Sequence, residues 1–205
     1  ASTHTSDMKS NGLNAAWGGN RARKELIQKF FPNNDAPVGE PADLIAAAKD
    51  DRALFWSKDR TLEIETTDQV KDFKKGFSVT KFTNIKSDGS NGTDTGFSDA
   101  DFFFFRTAEA YLTYAEATAR LNGGRATAEG IAYLNRLRTR SHAVNKAGYS
   151  LNDILDERAR EFYFEGQRRT DLIRYDKFGG ETDYLWTWKG GTANGRNFNK
   201  RRNIF

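Results

Sequence analysis

Three glutamates recur at four-residue spacing late in the chain, at Glu157, Glu161 and Glu165. Two carboxylates at a suitable separation can hydrolyse a glycosidic bond, one as general acid and the other as nucleophile or base. On one helix, however, residues four apart lie side by side, and neighbouring arginines keep such acids ionised. The charged neighbours are Arg158, Arg160, Arg168, Arg169, Asp171 and Arg174. We therefore expect an ion-pair network that holds helices in register, and no catalytic residue.

Two further acids, Glu109 and Glu116, lie seven residues apart and so share one face of a predicted helix. Their expected partners are Arg138, Arg140 or Arg174. These pairs would extend the same network to a second helix.

Four tryptophans indicate a different chemistry, because sugars stack their C–H faces on exposed rings while polar groups meet the hydroxyls. Rings on loops are the ones that stay accessible. Trp17 precedes Gly18-Gly19 and is followed by Asn20 and Arg21, which brings together a ring, an amide and a cation. The alternative role for Trp17 is to pack on the helix that follows.

The other tryptophans lie further along the chain. Trp186 and Trp188 flank Thr187 and point in opposite directions if the backbone is extended. One of them can face a ligand; the alternative is a structural role for both. Trp56 follows Phe55 and is expected in the core. The candidate ligand-binding residues are thus Trp17, Asn20, Arg21, Trp186 and Trp188.

Metal and cofactor chemistry find little support in the composition. The chain has no cysteine, and its two histidines, His4 and His142, stand far apart. A thiolate site is therefore excluded, and no ligand spacing typical of zinc is present. The pairs Gly123-Gly124 and Gly190-Gly191 predict turns, and neither is part of a phosphate-binding loop. We expect no metal and no cofactor.

The charge balance argues against a nucleic-acid partner. The 32 basic and 28 acidic residues give a net charge of +4, which is typical of solvated faces and ion pairs. Basic residues gather only in the tail, at Lys189, Arg196, Lys200, Arg201 and Arg202. No apolar run approaches the roughly 20 residues of a membrane span, and no signal-peptide pattern is present.

The first hundred residues predict short elements separated by loops. Apolar spacing predicts helices at 21–31, stopped by Pro32, and at 41–49, which begins at a proline. Alternation predicts strands at 61–65 and 77–85.

The following part of the chain predicts longer helices. The four phenylalanines at 102–105 are expected to be a buried connector or short strand, since they cannot all face water. Helices are predicted at 107–121, 127–140, 152–166, with Asn152 as N-cap, and 168–175. Small residues let the first two pack closely as one tetratricopeptide-type pair: Ala108, Ala110, Ala115, Ala117 and Ala119.

Three motifs in this region resemble the SusD/RagB family of nutrient-binding lipoproteins. The first is Ala115-Glu116-Ala117, and the second is Leu134-Asn135-x-Leu137-Arg138. The third runs from Glu157-Arg158 through Glu161-Phe162 and Glu165-Gly166 to Arg168 and Asp171-Leu172. The three motifs in this order identify the family more specifically than any one motif would alone. The similarity extends over residues 105–178.

The resemblance implies a mainly α, SusD-like fold with a tetratricopeptide-type helix pair, an irregular loop-rich region and minor short strands. Family members are about twice this long, so the chain is expected to be a C-terminal portion. Within it we expect a loop-rich region at 1–101 with short helices and possible strands, a helical core at 102–178 and an irregular tail at 179–205.

The resemblance also implies a function. Family members capture an oligosaccharide, without catalysis, and deliver it to a TonB-dependent outer-membrane transporter (SusC-like). The full-length parent is then anchored on the cell-surface side of the outer membrane, through a lipidated cysteine absent from this chain. Two alternatives stay open: a peptide-binding member, or a docking module for the channel with the ligand site elsewhere.

Overall fold

Helices are the main regular structure in this protein. The computed structural model describes residues 11–14, 18–64, 66 and 72–203. The helices are α1 (Lys24–Ile27), α2 (Pro41–Ala48), α3 (Thr107–Leu121), α4 (Ala128–Arg140), α5 (Leu151–Phe162) and α6 (Arg168–Arg174). Single 3-10 turns occur at Lys189–Gly191 and Lys200–Asn203. Within these residues, no helix combines the length and the apolar character that crossing a bilayer requires.

Three short strands complete the regular structure: β1 (Arg21–Ala22), β2 (Phe55–Trp56) and β3 (Phe77–Val79). They form an antiparallel sheet in the order β1-β3-β2, with Arg21 opposite Ser78 and Phe55 opposite Val79. The mainly α fold with minor strands is the one predicted from the sequence.

The chain divides into two compact units. The first comprises Ala1–Ala48, Ala53–Phe102 and Leu185–Asn197, and the second comprises Lys49–Arg52, Phe103–Tyr184 and Phe198–Phe205. The first therefore contains the sheet with α1 and α2, and the second contains α3 to α6.

The core of the first unit surrounds the small sheet. Its buried side chains include Ala22, Ile27, Phe31, Leu44, Phe55, Trp56, Phe77 and Val79. The hydroxyl of Ser57 donates to Pro37 O at 2.7 Å and accepts from Gly39 N at 2.9 Å, which fixes the chain leading into α2. The predicted core position of Trp56 is confirmed.

The core of the second unit begins with the α3/α4 hairpin. A methyl group added at Gly130 would lie 3.4 Å from the Ala115 Cα, so the two helices approach closely there. Of the alanines expected at this interface, Ala108, Ala115 and Ala119 are buried. Ala110 and Ala117 are exposed instead, because the 3.6-residue period turns them to the other face.

The N-terminus of α5 differs from the prediction. Ser150, not Asn152, is the N-cap: its hydroxyl accepts from Asp153 N at 3.2 Å, and an Asp153 carboxylate oxygen accepts from Ser150 N at 2.9 Å. This reciprocal pair is a capping box. The helix then ends at Phe162 rather than 166, since Tyr163 has an extended ψ of 139° and Phe164 a left-handed φ of +61°.

Several short elements in the first unit also differ from their predicted form. The helix predicted at 21–31 is reduced to α1, because Arg21 and Ala22 pair with β3 instead. In place of a strand at 61–65, Thr61 forms an isolated bridge with Lys75, and Glu65 lies outside the described residues. The strand predicted at 77–85 ends at Val79.

The predicted burial of the phenylalanine run is wrong. The four residues Phe102 to Phe105 are 58–87% exposed, with Phe105 the most exposed. In the described ranges, none of the three strands pairs with this segment. A large part of any folded surface is apolar, and an exposed ring therefore needs no buried site.

Candidate functional site

The acidic cluster in the second unit is bound by arginines on every side. Glu157 is fully buried and accepts from Arg52 Nη2 at 2.8 Å, Arg138 Nη1 at 2.8 Å and Arg160 Nη2 at 2.9 Å. These contacts join the segment Lys49–Arg52, helix α4 and helix α5.

Glu161, one turn further along α5, repeats this arrangement. Its carboxylate accepts from Arg52 Nη1 at 3.1 Å, Arg106 Nη1 at 2.5 Å and Arg140 Nη2 at 2.7 Å. Arg106 also donates through Nε to Glu165 at 2.8 Å. We call these residues the ion-pair network: Arg52, Arg106, Arg138, Arg140, Arg160, Glu157, Glu161 and Glu165.

The electrostatics of the ion-pair network oppose acid catalysis. Burial alone would raise the pKa of Glu157, but the charges of Arg160, Arg52 and Arg138 outweigh it and lower the pKa to about 2. The pKa of Glu161 is lowered in the same way, against its burial, by Arg140 and Arg106. A general acid of a glycosidase needs a raised pKa instead. The predicted structural role of these glutamates is confirmed by their contacts.

A second set of ion pairs connects α3, α5 and α6. Arg158 Nε lies 2.7 Å from Asp171, and Arg174 donates to Glu116 at 2.7 Å, as predicted. Arg138 and Arg140 pair with Glu157 and Glu161 rather than with the acids of α3. Glu109 forms no ion pair within the part of the chain that the structure describes.

Sequence reasoning missed Arg52, Asp50 and Arg106. Arg52 lies 105 positions before its partner Glu157, and no local pattern signals so distant a contact. Asp50 orients Arg52 through a bond of 2.9 Å to its Nε. The sequence signal for Asp50 and Arg52 was the charged run Asp50-Asp51-Arg52, directly after the helix predicted at 41–49.

In the first unit, Trp186 and Trp188 belong to one compact loop, Leu185–Asn197, which we call the tryptophan loop. It is closed by its own hydrogen bonds, from Trp188 N to Ala193 O at 3.1 Å and from Arg196 N to Lys189 O at 2.9 Å. Trp188 adopts a left-handed φ of +68°, so the backbone turns sharply at this residue. Both rings are half-buried.

Two residues outside the tryptophan loop, Glu25 and Ile64, anchor it. A carboxylate oxygen of Glu25 accepts from the Thr187 backbone and hydroxyl, both at 2.6 Å. The Trp188 indole donates to Ile64 O at 2.7 Å. Beneath Trp186, the buried Lys189 Nζ lies 4.7 Å from the ring centroid. Lys189 is therefore buried and does not contribute to a basic surface in the tail.

The other predicted site residues lie before β1. Asn20 is exposed, whereas Arg21 is half-buried and donates to the carbonyls of Asp72 at 2.7 Å and Lys75 at 2.6 Å. Burial lowers the pKa of Arg21, and the charge of Asp72 opposes that shift. Trp17 lies outside the described residues.

One aromatic residue beside Arg21 was not anticipated. Phe73 is exposed, and the Arg21 guanidinium carbon lies 5.5 Å from its ring centroid. The sequence signal was weak: a single Phe between Asp72 and Lys74 in a segment without clear periodicity. Asn20, Arg21, Phe73 and the tryptophan loop all belong to the first unit. In the described ranges, no group of three or more metal-ligating side chains could hold an ion.

Comparisons with known proteins find related sequences. The profile of the SusD family matches residues 63–204, more than half of the chain. The starch-binding protein SusD of Bacteroides thetaiotaomicron is 37% identical over 226 aligned positions, which cover 94% of this chain and 39% of that protein. The chain therefore spans well under half the length of this relative.

Two solved structures share the fold. Surface glycan-binding protein A from Bacteroides uniformis aligns with a TM-score of 0.50 at 24% identity, over 77% of this chain and 34% of its own. A SusD superfamily protein from Parabacteroides distasonis also gives 0.50, at 20% identity, over 77% of this chain and 35% of its own.

Proposed function

Since this chain belongs to the SusD family, we propose that it is part of a cell-surface protein that captures an oligosaccharide nutrient. Proteins of this family bind their ligands without catalysis. Of the similar proteins, one is named as a starch-binding protein and another as a surface glycan-binding protein. An oligosaccharide, with an α-glucan as the first to test, is therefore the best-supported ligand class.

The observation that carries the proposal is the anchored tryptophan loop. Its two rings stand on a backbone that is closed by internal hydrogen bonds and held at Glu25 and Ile64. Such preorganisation lowers the entropy that a ligand must overcome on binding. Stacking on Trp186 or Trp188, with hydrogen bonds from Asn20 and Arg21, would supply affinity without a requirement for charge on the ligand.

Trp17 completes the proposed set of ligand-contacting residues. It stands three positions before Asn20, so a ring and an amide follow closely on one segment. Its proposed role rests on sequence, and its substitution is therefore an informative part of the test.

Delivery follows capture in this proposal. The full-length protein would sit on the cell-surface side of the outer membrane, tethered by a lipid anchor, and pass its ligand to a TonB-dependent transporter. Family members are surface proteins, which supports this placement. A nucleic-acid role is disfavoured because Lys189 is buried and Lys200 pairs with Asp176 at 2.8 Å.

A combined glycan and peptide array, followed by affinity electrophoresis in soluble starch, tests the proposal. We expect the chain to bind glycans, and Trp17→Ala and Trp186→Ala to weaken retention. Arg140→Gln, a surface change in the second unit, is the control and should leave retention intact.

Other outcomes would contradict the proposal. Binding of peptides alone would favour a peptide-binding member, and glycan retention unchanged in both tryptophan variants would favour a docking module. Release of reducing sugar that is lost in Glu161→Gln would identify an enzyme and overturn the structural role of the ion-pair network.

A further inference from the structure

The segment Asp72–Lys75 forms a tight turn that carries Phe73 at its tip. Lys75 N donates to Asp72 O at 3.0 Å, and Lys74 N donates to the Asp72 carboxylate at 2.9 Å. The second bond is the side-chain turn that aspartate commonly forms with the backbone two residues on. The turn thus has a defined conformation of its own.

Two arginines of the first unit hold this turn through its backbone carbonyls. Arg21 donates to the carbonyls of Asp72 and Lys75, one at each end of the turn. The buried Arg60 donates to the carbonyl of Phe73 itself. Hydrogen bonds from charged donors are stronger than neutral ones. These bonds leave the turn little freedom to move.

The backbone of Thr61 adds a further restraint to the turn. Thr61 N donates to Lys74 O at 3.2 Å, and Gly76 N donates to Thr61 O at 2.9 Å. The Gly19 backbone approaches the Phe73 ring, where an added methyl group would lie 3.8 Å from Cζ. Phe73 is therefore presented by a rigid support and is backed by both Gly19 and Arg21.

This rigid support nevertheless leaves about half of the Phe73 side chain exposed to water. Phe73 is 48% exposed, whereas Phe77, four residues later on β3, is only 5% exposed. Core packing explains the position of Phe77, but it does not explain why the exposed ring of Phe73 is held in a fixed position. A ring held rigidly at the surface is suited to contact a ligand.

We propose that Phe73 is a sugar-stacking ring, on which the C–H face of a neutral pyranose unit packs. Asn20, exposed one residue from Arg21, would meet the sugar hydroxyls, and Arg21 would hold the ring from behind. This assignment rests on the proposed function of the chain and adds a contact that the sequence did not indicate. It also places stacking on a Phe that has no hydrogen-bonding group of its own, so the ring selects for shape rather than polarity.

Three substitutions at position 73 separate stacking from mere apolar contact. Phe73→Ala removes the ring and should weaken binding of maltoheptaose about tenfold, the order expected for loss of one aromatic stacking contact. Phe73→Leu keeps an apolar side chain without a flat face and should be nearly as weak. Phe73→Tyr keeps the ring and should bind within about twofold of the unchanged chain.

The matched control is Phe97→Ala. Phe97 is also a surface phenylalanine of the first unit, 78% exposed, but it lies on a different loop. Its removal should leave the dissociation constant unchanged. Isothermal titration calorimetry with maltoheptaose gives the constants, and circular dichroism on heating verifies that each variant is folded.

The outcomes distinguish this assignment from the proposed function. If the unchanged chain binds glycan and Phe73→Ala binds equally well, the stacking role is overturned while glycan capture stands. If Leu restores binding as fully as Tyr, the ring acts only as apolar surface and the stacking role is likewise overturned. If the unchanged chain binds no glycan in the array, both proposals are overturned.

Discussion

Arg52 Nη2 lies 2.8 Å from Glu157 Oε1, although 105 residues separate them in the chain. The same guanidinium reaches Glu161 at 3.1 Å, and Asp50 orients it from two residues away. The Tyr163 hydroxyl donates to Arg52 O at 2.7 Å, so both the side chain and the backbone of Arg52 are held. The segment Lys49–Arg52 is thereby built into the second unit.

Removal of the Arg52 guanidinium should destabilise the protein strongly. In Arg52→Met, Glu157 and Glu161 stay buried with one cation fewer, a situation that typically costs about 3–5 kcal/mol. Arg52→Lys should recover only part of this loss, because an ammonium cannot donate to several carboxylates in the guanidinium's planar geometry. Urea unfolding followed by circular dichroism measures the free energies.

Arg140 provides the matched control for this prediction. It also donates to Glu161, but its side chain is 52% exposed. Arg140→Gln should therefore cost less than about 1 kcal/mol. Equal losses for Arg52→Met and Arg140→Gln would show that burial does not set the strength of the ion-pair network.

Acid should destabilise the fold over a defined pH range. The pKa of Glu157 is lowered from 4.5 to about 2, so its stabilising contribution is complete above pH 4.5 and is lost as pH falls towards 2. In Glu157→Gln this contribution is absent at every pH. The variant should be less stable at pH 7, and its free energy of unfolding should change less between pH 4.5 and 2.5. If the free energy of unfolding fell equally with pH in both proteins, the lowered pKa of Glu157 would be wrong.

The start of α5 offers a test of the capping box. Ser150→Ala removes the hydroxyl that accepts from Asp153 N, and should cost about 0.5–2 kcal/mol. Asn152→Ala removes a side chain that does not cap the helix, and should change stability by less than about 0.5 kcal/mol. Thermal unfolding compares the two directly; a larger loss at Asn152 would restore the original N-cap prediction.

The shape of the tryptophan loop depends on glycine at position 195. Gly195 has a φ of +76°, and an added methyl group would lie 2.4 Å from Trp186 O. Gly195→Ala should therefore displace Trp186 and shift tryptophan fluorescence. Gly191→Ala introduces similar strain, at φ +80°, but meets no atom within 4 Å. The fluorescence spectrum should change much more for Gly195→Ala than for Gly191→Ala. Equal changes would mean that backbone strain, and not the contact with Trp186 O, alters the loop.

Helical periodicity and family motifs carried most of the fold prediction. The bounds predicted for α3 are those observed, because an Ala-rich helix with a Gly stop has clear signals at both ends. The α5 cap was misassigned because Ser150 and Asn152 are both good N-caps, and only the reciprocal bond with Asp153 distinguishes them. The burial predicted for Phe102 to Phe105 is wrong because residue type indicates hydrophobicity but not which side chains pack against these rings in the fold.

The candidate site was harder to predict than the fold. Trp186 and Trp188 stood out by residue type, but their anchors, Glu25 and Ile64, are more than 120 positions away in the chain. The sequence signal for Phe73 was weak because the two arginines that hold its turn bind backbone carbonyls, which are the same in every sequence. Long-range contacts of this kind follow from tertiary structure alone.

We propose that side chains on loops of the first unit capture the ligand, while the buried acids serve only as structure. Affinity electrophoresis in soluble starch compares Trp186→Ala and Phe73→Ala with Arg140→Gln. Both loop variants should migrate faster through starch than the unchanged chain, and Arg140→Gln should be retarded as before. Retardation lost only in Arg140→Gln, with both loop variants unaffected, would show that these loops do not capture the ligand.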